Sequence, residues 1–102
     1  MTYNDLVNNY RDTPKEIPTA PLVRRSPTWF KVYEHRGTLY IASGEAHPNA
    51  SSICPDRRLN PGEFSEMLEL YLMRKQGKPV SRLAKKSINS VYWFGIFNDL
   101  GI

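Results

Sequence analysis

Six basic residues stand close together near the carboxyl-terminal end, with no Asp or Glu among them: Arg74, Lys75, Lys78, Arg82, Lys85 and Lys86. Binding of a phosphate backbone needs several cations within reach of one strand, and each contact releases condensed counterions. Arg82, Lys85 and Lys86 fall at helical spacing, which places them on one side of a helix. The stretch therefore predicts contact with a polyanion, most commonly nucleic acid, although a solvated helix face has a similar composition.

The net charge of +4 is unevenly distributed along the 102 residues. Residues 57–86 hold eight Lys or Arg against three Glu, which gives this segment a local net charge of +5. The rest of the chain, with six basic and seven acidic residues, sums to −1. This segregation predicts one electropositive face, with Arg57 and Arg58 at its edge.

Side chains suited to catalysis or metal binding are sparse. Cys54 is the only cysteine, so an internal disulfide and a cysteine-based zinc site are excluded. The two histidines, His35 and His47, each follow a glutamate closely but have no third ligand at a metal-binding spacing. We therefore expect no catalytic residue, no metal and no cofactor, and the sequence favours a non-catalytic role.

One pair of segments has a counterpart among enzymes. Val32-Tyr33 and Tyr40-Ile41-Ala42, joined by a short turn, resemble the paired-tyrosine strands of GIY-YIG nucleases, although the glycines of both motifs are absent. The resemblance implies a metal-dependent nuclease. Such an enzyme needs a metal-binding glutamate on a later helix, for which three residues are available: Glu63, Glu66 and Glu69.

The segment from Gly77 to Tyr92 resembles a helix-turn-helix, with Leu83-Ala84 and Val91-Tyr92 at its core positions. The resemblance implies DNA binding. Its turn lacks the usual glycine, and its second helix offers Trp93 where base-reading helices carry polar side chains. Contact with the backbone from the preceding basic segment is therefore favoured over reading of the major groove.

Two β-prone runs, 28–35 and 38–43, flank Arg36-Gly37 and predict a β-hairpin. Alternation puts Phe30 and Val32 on one face of the hairpin and Trp29, Lys31 and Tyr33 on the other. One face must pack on the core, because a lone hairpin is marginally stable. The other face is a candidate contact surface. Residues 44–61, rich in Pro, Gly and Asn, are expected to form a long loop.

Helices are expected after the hairpin. Asn60 as N-cap, Pro61 at the first position and Glu63 in a capping box predict an amphipathic helix to about Gln76, ended by Gly77. Pro79 is suited to open a second, short helix. For residues 88–100 periodicity does not separate helix from strand, and we favour helix because little chain remains to return to the hairpin.

The expected fold class is α+β, a β-hairpin packed on two or three helices. An extended N-terminal arm is expected over residues 1–27. Four prolines between Pro14 and Pro27 predict irregular backbone over residues 11–27, and residues 1–10 form either one helical turn or part of the arm. Residues 28–102 then form a single small α+β domain. The N-terminus lacks the pattern of a signal peptide and no run approaches the roughly 20 apolar residues of a membrane span, so we expect a cytoplasmic protein without a membrane partner.

These observations favour a non-catalytic protein that binds the phosphate backbone of DNA or RNA. The alternative is a small interaction module, an inhibitor or adaptor of a nucleic-acid enzyme, whose basic face docks on an acidic surface of that enzyme. In that case exposed aromatic side chains would supply the contact energy, and the candidates are Trp29, Tyr33, Trp93 and Phe97. A metal-dependent nuclease is the third interpretation.

Overall fold

The computed structural model describes residues 1–102 and has a mixed α+β architecture. Its four strands are β1 (Lys15–Pro18), β2 (Trp29–His35), β3 (Thr38–Ser43) and β4 (Arg57–Arg58). They form one antiparallel sheet in the order β1-β2-β3-β4. The helices are α1 (Tyr3–Tyr10), α2 (Phe64–Lys75), α3 (Ser81–Ala84) and α4 (Ser90–Asp99), with a 3-10 turn (Pro61–Glu63) before α2. Even α2, the longest at 12 residues, falls well short of crossing a bilayer.

The hairpin predicted around Arg36-Gly37 is confirmed. Both turn residues have positive φ, 52° at Arg36 and 78° at Gly37, and Tyr33 lies directly opposite Tyr40. Two residues with positive φ form the turn whose twist matches that of the flanking strands. Glycine adopts this conformation without strain, which explains why the pair connects β2 to β3 so tightly.

The predicted alternation of the hairpin is also confirmed. The inward residues of β2 and β3 are fully buried: Phe30, Val32, Leu39 and Ile41. On the opposite face, called here the outer face, lie partly exposed side chains: Trp29, Lys31, Tyr33 and Tyr40. The buried residues belong to a single hydrophobic cluster that also includes residues of α1, α2 and α4.

The prediction of an extended arm over residues 1–27 is wrong for residues 15–18, and of the two alternatives for residues 1–10 the structure has a helix, of eight residues. Residues 3–10 form α1, because Thr2 and Asp5 close a capping box in which the Thr2 N–H donates to the Asp5 carboxylate at 2.7 Å. Leu6 and Val7 of this helix are buried in the core. Residues 15–18 form β1, which tolerates Pro18 because it is an edge strand. Irregular backbone remains between β1 and β2.

Residues 90–99 are helical, as favoured from the sequence. Helix α4 is apolar almost all round because it lies in the centre of the molecule, with Trp93, Phe94 and Phe97 fully buried. Gly95 allows this position. A Cβ atom there would lie 2.5 Å from the carbonyl oxygen of Pro18, so only glycine lets α4 approach the edge of the sheet so closely.

The predicted start of the helix after Asn60 is confirmed, but one detail is wrong. The Asn60 side chain caps the 3-10 turn by accepting a hydrogen bond from the Gly62 N–H at 2.9 Å. Glu63 does not close a capping box. Its carboxylate instead accepts a hydrogen bond from the buried Trp93 indole at 3.3 Å, which ties the start of α2 to α4.

Candidate nucleic-acid interface

Four of the predicted phosphate-binding residues lie on or next to α3, exposed and free of internal partners: Lys78, Arg82, Lys85 and Lys86. Their side chains form no ion pair and no hydrogen bond within the protein. The two ion pairs of the structure, Lys15 with Asp99 and His47 with Glu16, lie elsewhere. No carboxylate occurs between residues 70 and 98 of the sequence. The positive field of these four side chains is therefore not cancelled by an internal pairing.

Helix α3 and the helical turn that follows it place two of these cations, Arg82 and Lys85, on one side. Its inner side is anchored by the buried Val80 and Ala84, whose backbones share a hydrogen bond of 2.8 Å. The helical bonding continues past α3, because the Lys85 N–H donates to the Ser81 carbonyl at 3.1 Å. With one side anchored, Arg82 and Lys85 project outward about one helical turn apart, a rise of roughly 5 Å.

Arg74, predicted from the sequence to bind phosphate, makes contacts within the protein. Its guanidinium donates to the Pro21 carbonyl at 2.6 Å and lies 5.7 Å from the centre of the Phe94 ring. The Ser81 hydroxyl donates to the Leu22 carbonyl at 3.3 Å. Together these contacts fasten the irregular segment between β1 and β2 to α2 and α3. Arg74 is thus an internal anchor.

The fastened segment carries two further exposed cations close in sequence to its contact with α3. Arg24 and Arg25 are exposed and follow Leu22, the residue bonded to Ser81, by two and three positions. Because each residue spans at most about 3.6 Å, their Cα atoms lie within roughly 11 Å of that contact. This proximity could not be predicted from the sequence, because it depends on contacts between distant residues. We call Arg24, Arg25 and the four free cations the α3 surface.

The remaining candidate cations lie around this surface or away from it. Lys75 donates to the Ile102 carbonyl at 2.5 Å and lies beside the Tyr71 ring, at the end of α2. Arg57 donates to the Asn89 side chain at 3.2 Å, which places it next to the turn that follows α3. Arg58 lies opposite Tyr40 in the sheet register and therefore on the outer face. Arg57 and Arg58 point to opposite sides because consecutive strand residues alternate.

Two of the four aromatic contact candidates are not accessible. Trp93 and Phe97 have no exposed surface, so the prediction that a partner contacts them is wrong. They are core residues because α4 is central to the fold. Trp29 and Tyr33 lie on the outer face, where Trp29 stacks on His47 with ring centres 3.7 Å apart and Tyr33 stacks on Tyr40 at 5.6 Å.

The helix-turn-helix expected between Gly77 and Tyr92 is not formed. Helix α3 has only four residues, and α4, the would-be recognition helix, is buried from Trp93 to Phe97. A helix that fills the core cannot enter a major groove. What remains of that expectation is the exposed basic segment that precedes α4.

Two residues of the nuclease resemblance, Tyr33 and Glu63, have internal partners on opposite sides of the sheet. Tyr33 donates a hydrogen bond to Asp56 at 2.5 Å. Burial, followed by this bond and the charge of Asp56, raises the pKa of Tyr33 to about 12, which disfavours the phenolate. Glu63 is bonded to Trp93 on the core side of the sheet, away from the tyrosines. No three His, Cys, Asp or Glu side chains lie close enough together to hold a metal ion.

The loop that follows β3 is fastened by a single carboxylate. Glu16 of β1 accepts hydrogen bonds from the backbone N–H groups of Glu45, Ala46 and His47 at 3.0 to 3.2 Å, and from the His47 ring at 3.0 Å. The first two N–H groups make the largest contributions to lowering the pKa of Glu16 from 4.5 to about 2. This carboxylate holds His47 against Trp29 and so orders the loop beside the outer face.

We expect Glu16→Gln to remove a pH dependence of folding. Because the pKa of Glu16 is lower in the folded chain, its ionised form stabilises the fold above pH 4.5, and this contribution is lost as the pH falls toward 2. Urea unfolding between pH 2 and 5 should show a steeper loss of stability for the natural protein than for the variant. Glu45→Gln, which removes an exposed carboxylate from the same loop, should retain the steep loss. Equal slopes for the natural protein and Glu16→Gln would contradict this role.

Comparison of the chain with protein-family models, with curated proteins and with solved structures finds no match. The function of this chain is therefore inferred from its own residues and their geometry.

Proposed function

We propose that this protein binds nucleic acid non-catalytically, by contacting the phosphate backbone with the α3 surface. The observation that carries the proposal is the set of four exposed cations on α3 and its flanks without an internal carboxylate partner. Arg24 and Arg25 extend that set, and Lys75 and Arg57 border it. A phosphate backbone is the ligand that satisfies several neighbouring cations at once.

The proposed binding is independent of base sequence. Reading of base edges needs an element that enters a groove and presents polar side chains. Helix α4 is buried, and α3 spans barely one turn. The cations of the α3 surface would therefore position the protein on the backbone, a class of contact that carries no direct sequence information.

A salt titration tests this function. Fluorescence anisotropy with labelled duplex DNA, duplex RNA and single strands would measure the dissociation constant from about 50 to 300 mM salt. With four to six phosphate contacts, the plot of log affinity against log salt for duplex DNA should have a slope of roughly −4 to −5. Duplexes of unrelated sequence should bind alike. Undetectable binding at low salt, or binding that does not weaken with salt, would contradict the proposal.

An interaction module that docks the same surface on an acidic nucleic-acid enzyme is the second candidate. Apolar side chains interspersed with the cations favour it: Val23 is 56% exposed and Leu83 is 40% exposed. Protein interfaces combine such apolar contacts with a charged rim. Partner capture from a lysate treated with nuclease separates the two functions, since an acidic nucleic-acid enzyme retained after the treatment supports docking. A cytoplasmic location stays a prediction of the sequence.

A further inference from the structure

Ile88 is an exposed isoleucine between two buried residues. Its exposure of 78% is the highest among the exposed large hydrophobic residues, yet both its neighbours in the chain are buried, Ser87 to 7% and Asn89 to 9% exposure. An isolated exposed isoleucine needs no explanation by itself. An isoleucine held at the tip of a turn whose two flanking residues are anchored is a different arrangement, because the side chain is displayed in a defined position.

Hydrogen bonds fix the turn on both sides of Ile88. Before it, the Ser87 N–H donates to the Ala84 carbonyl at 3.2 Å, and the Ser87 hydroxyl accepts from the Asn89 N–H at 3.1 Å. After it, the Asn89 carbonyl accepts from the N–H groups of Tyr92 and Trp93, in the first turn of α4, at 3.0 Å. The turn is thus continuous with the buried helix α4. Little conformational entropy would be lost on binding, since the backbone around Ile88 is already ordered.

Cations of the α3 surface and its border flank the displayed side chain. Lys85 and Lys86 precede Ile88 and are exposed, and Arg57 is bonded to the side chain of Asn89 on its other side. A nucleic acid whose phosphates are held by these cations would therefore lie against the turn that carries Ile88. Such an arrangement places an apolar side chain at the bases while basic side chains hold the backbone.

We infer that Ile88 is a wedge that enters the minor groove of a bound duplex and partly unstacks one base step. The inference depends on the proposed function, because the basic residues must first hold the duplex. Proteins that insert wedges into the minor groove use Ile, Leu, Met, Phe or Pro for this purpose. Protein hot spots are instead enriched in Trp, Tyr and Arg, whereas the most exposed large apolar side chain beside these cations is an isoleucine, which favours a duplex over a protein pocket.

Substitution of Ile88 separates the wedge from the electrostatic contacts. Ile88→Ala should weaken duplex binding by about ten- to a hundredfold, the contribution of burying one isoleucine side chain. The salt dependence should stay unchanged, because no phosphate contact is lost. A 2-aminopurine base in the duplex should fluoresce more strongly with the natural protein, as unstacking predicts, and should show no increase with the variant.

The matched control is Leu72→Ala, which removes a 42% exposed leucine of α2 from outside the turn. It should bind and unstack the duplex within about twofold of the natural protein, and thermal unfolding should show that Ile88→Ala is folded. Natural affinity for Ile88→Ala, together with no 2-aminopurine signal from the natural protein, would overturn the wedge and leave the proposed function intact. A natural protein that binds no duplex at any salt concentration would overturn both.

Discussion

Replacing Arg82, Lys85 and Lys86 together by glutamine is expected to reduce duplex affinity by roughly two to three orders of magnitude at about 100 mM salt. All three side chains are exposed and have no internal partner, so their removal should not disturb the fold. Each lost phosphate contact should also make the slope of log affinity against log salt less steep by about 0.9, or about 2.7 in total. The measurement is anisotropy with one labelled duplex at several salt concentrations.

A variant of equal charge tests whether the location of the cations matters. Arg11, Lys31 and Arg36 lie outside the α3 surface, at the end of α1, on the outer face and in the hairpin turn. Their joint replacement by glutamine removes the same three charges and should change affinity only a few-fold. If both triple variants lost affinity equally, net charge rather than the α3 surface would be responsible for binding.

Trp93→Ala is expected to lower the free energy of unfolding by about 3–5 kcal/mol. Trp93 is fully buried, its ring centre lies 6.0 to 6.2 Å from those of Tyr3, Phe64 and Phe97, and its indole bonds to Glu63. Truncation would leave a cavity at the junction of α1, α2 and α4. Against a total of roughly 5–15 kcal/mol for a domain, the loss should appear clearly in urea unfolding.

Two controls identify the cause of that loss. Trp93→Phe keeps an aromatic ring in the core and should lose less stability than the alanine variant. Trp29→Ala removes a partly exposed tryptophan from the outer face and should cost about 1 kcal/mol or less. Natural stability for Trp93→Ala, combined with loss of a binding partner, would restore Trp93 as a contact residue and contradict its place in the core.

Local signals were sufficient for the elements that depend on neighbouring residues. The Arg36-Gly37 turn, the alternation of Phe30 with Lys31 and the Asn60 cap each act within a few positions, and all three are present in the structure. For α4 the sequence pattern did not decide between helix and strand, because a helix that is buried all round has no polar side to define a period.

Contacts between distant residues account for what the sequence did not reveal. The prolines at 14 and 18 suggested an arm, but the capping box at Thr2 and the pairing of β1 with β2 place that segment in the fold. Of the candidate site, the free cations of the α3 surface could be named in advance. The anchoring role of Arg74, the contact of Leu22 with Ser81 and the exposure of Ile88 depend on tertiary structure and could not be predicted.

Mapping the bound duplex on the protein by backbone amide chemical shifts tests the central claim most directly. A ¹⁵N-labelled protein would be titrated with a short duplex at low salt. The predicted result is a contiguous set of shifted amides at residues 23–25 and 78–89, with the strands β2 and β3 unaffected. Shifts concentrated instead around Trp29 and Tyr33 on the outer face, with the α3 surface unchanged, would contradict it.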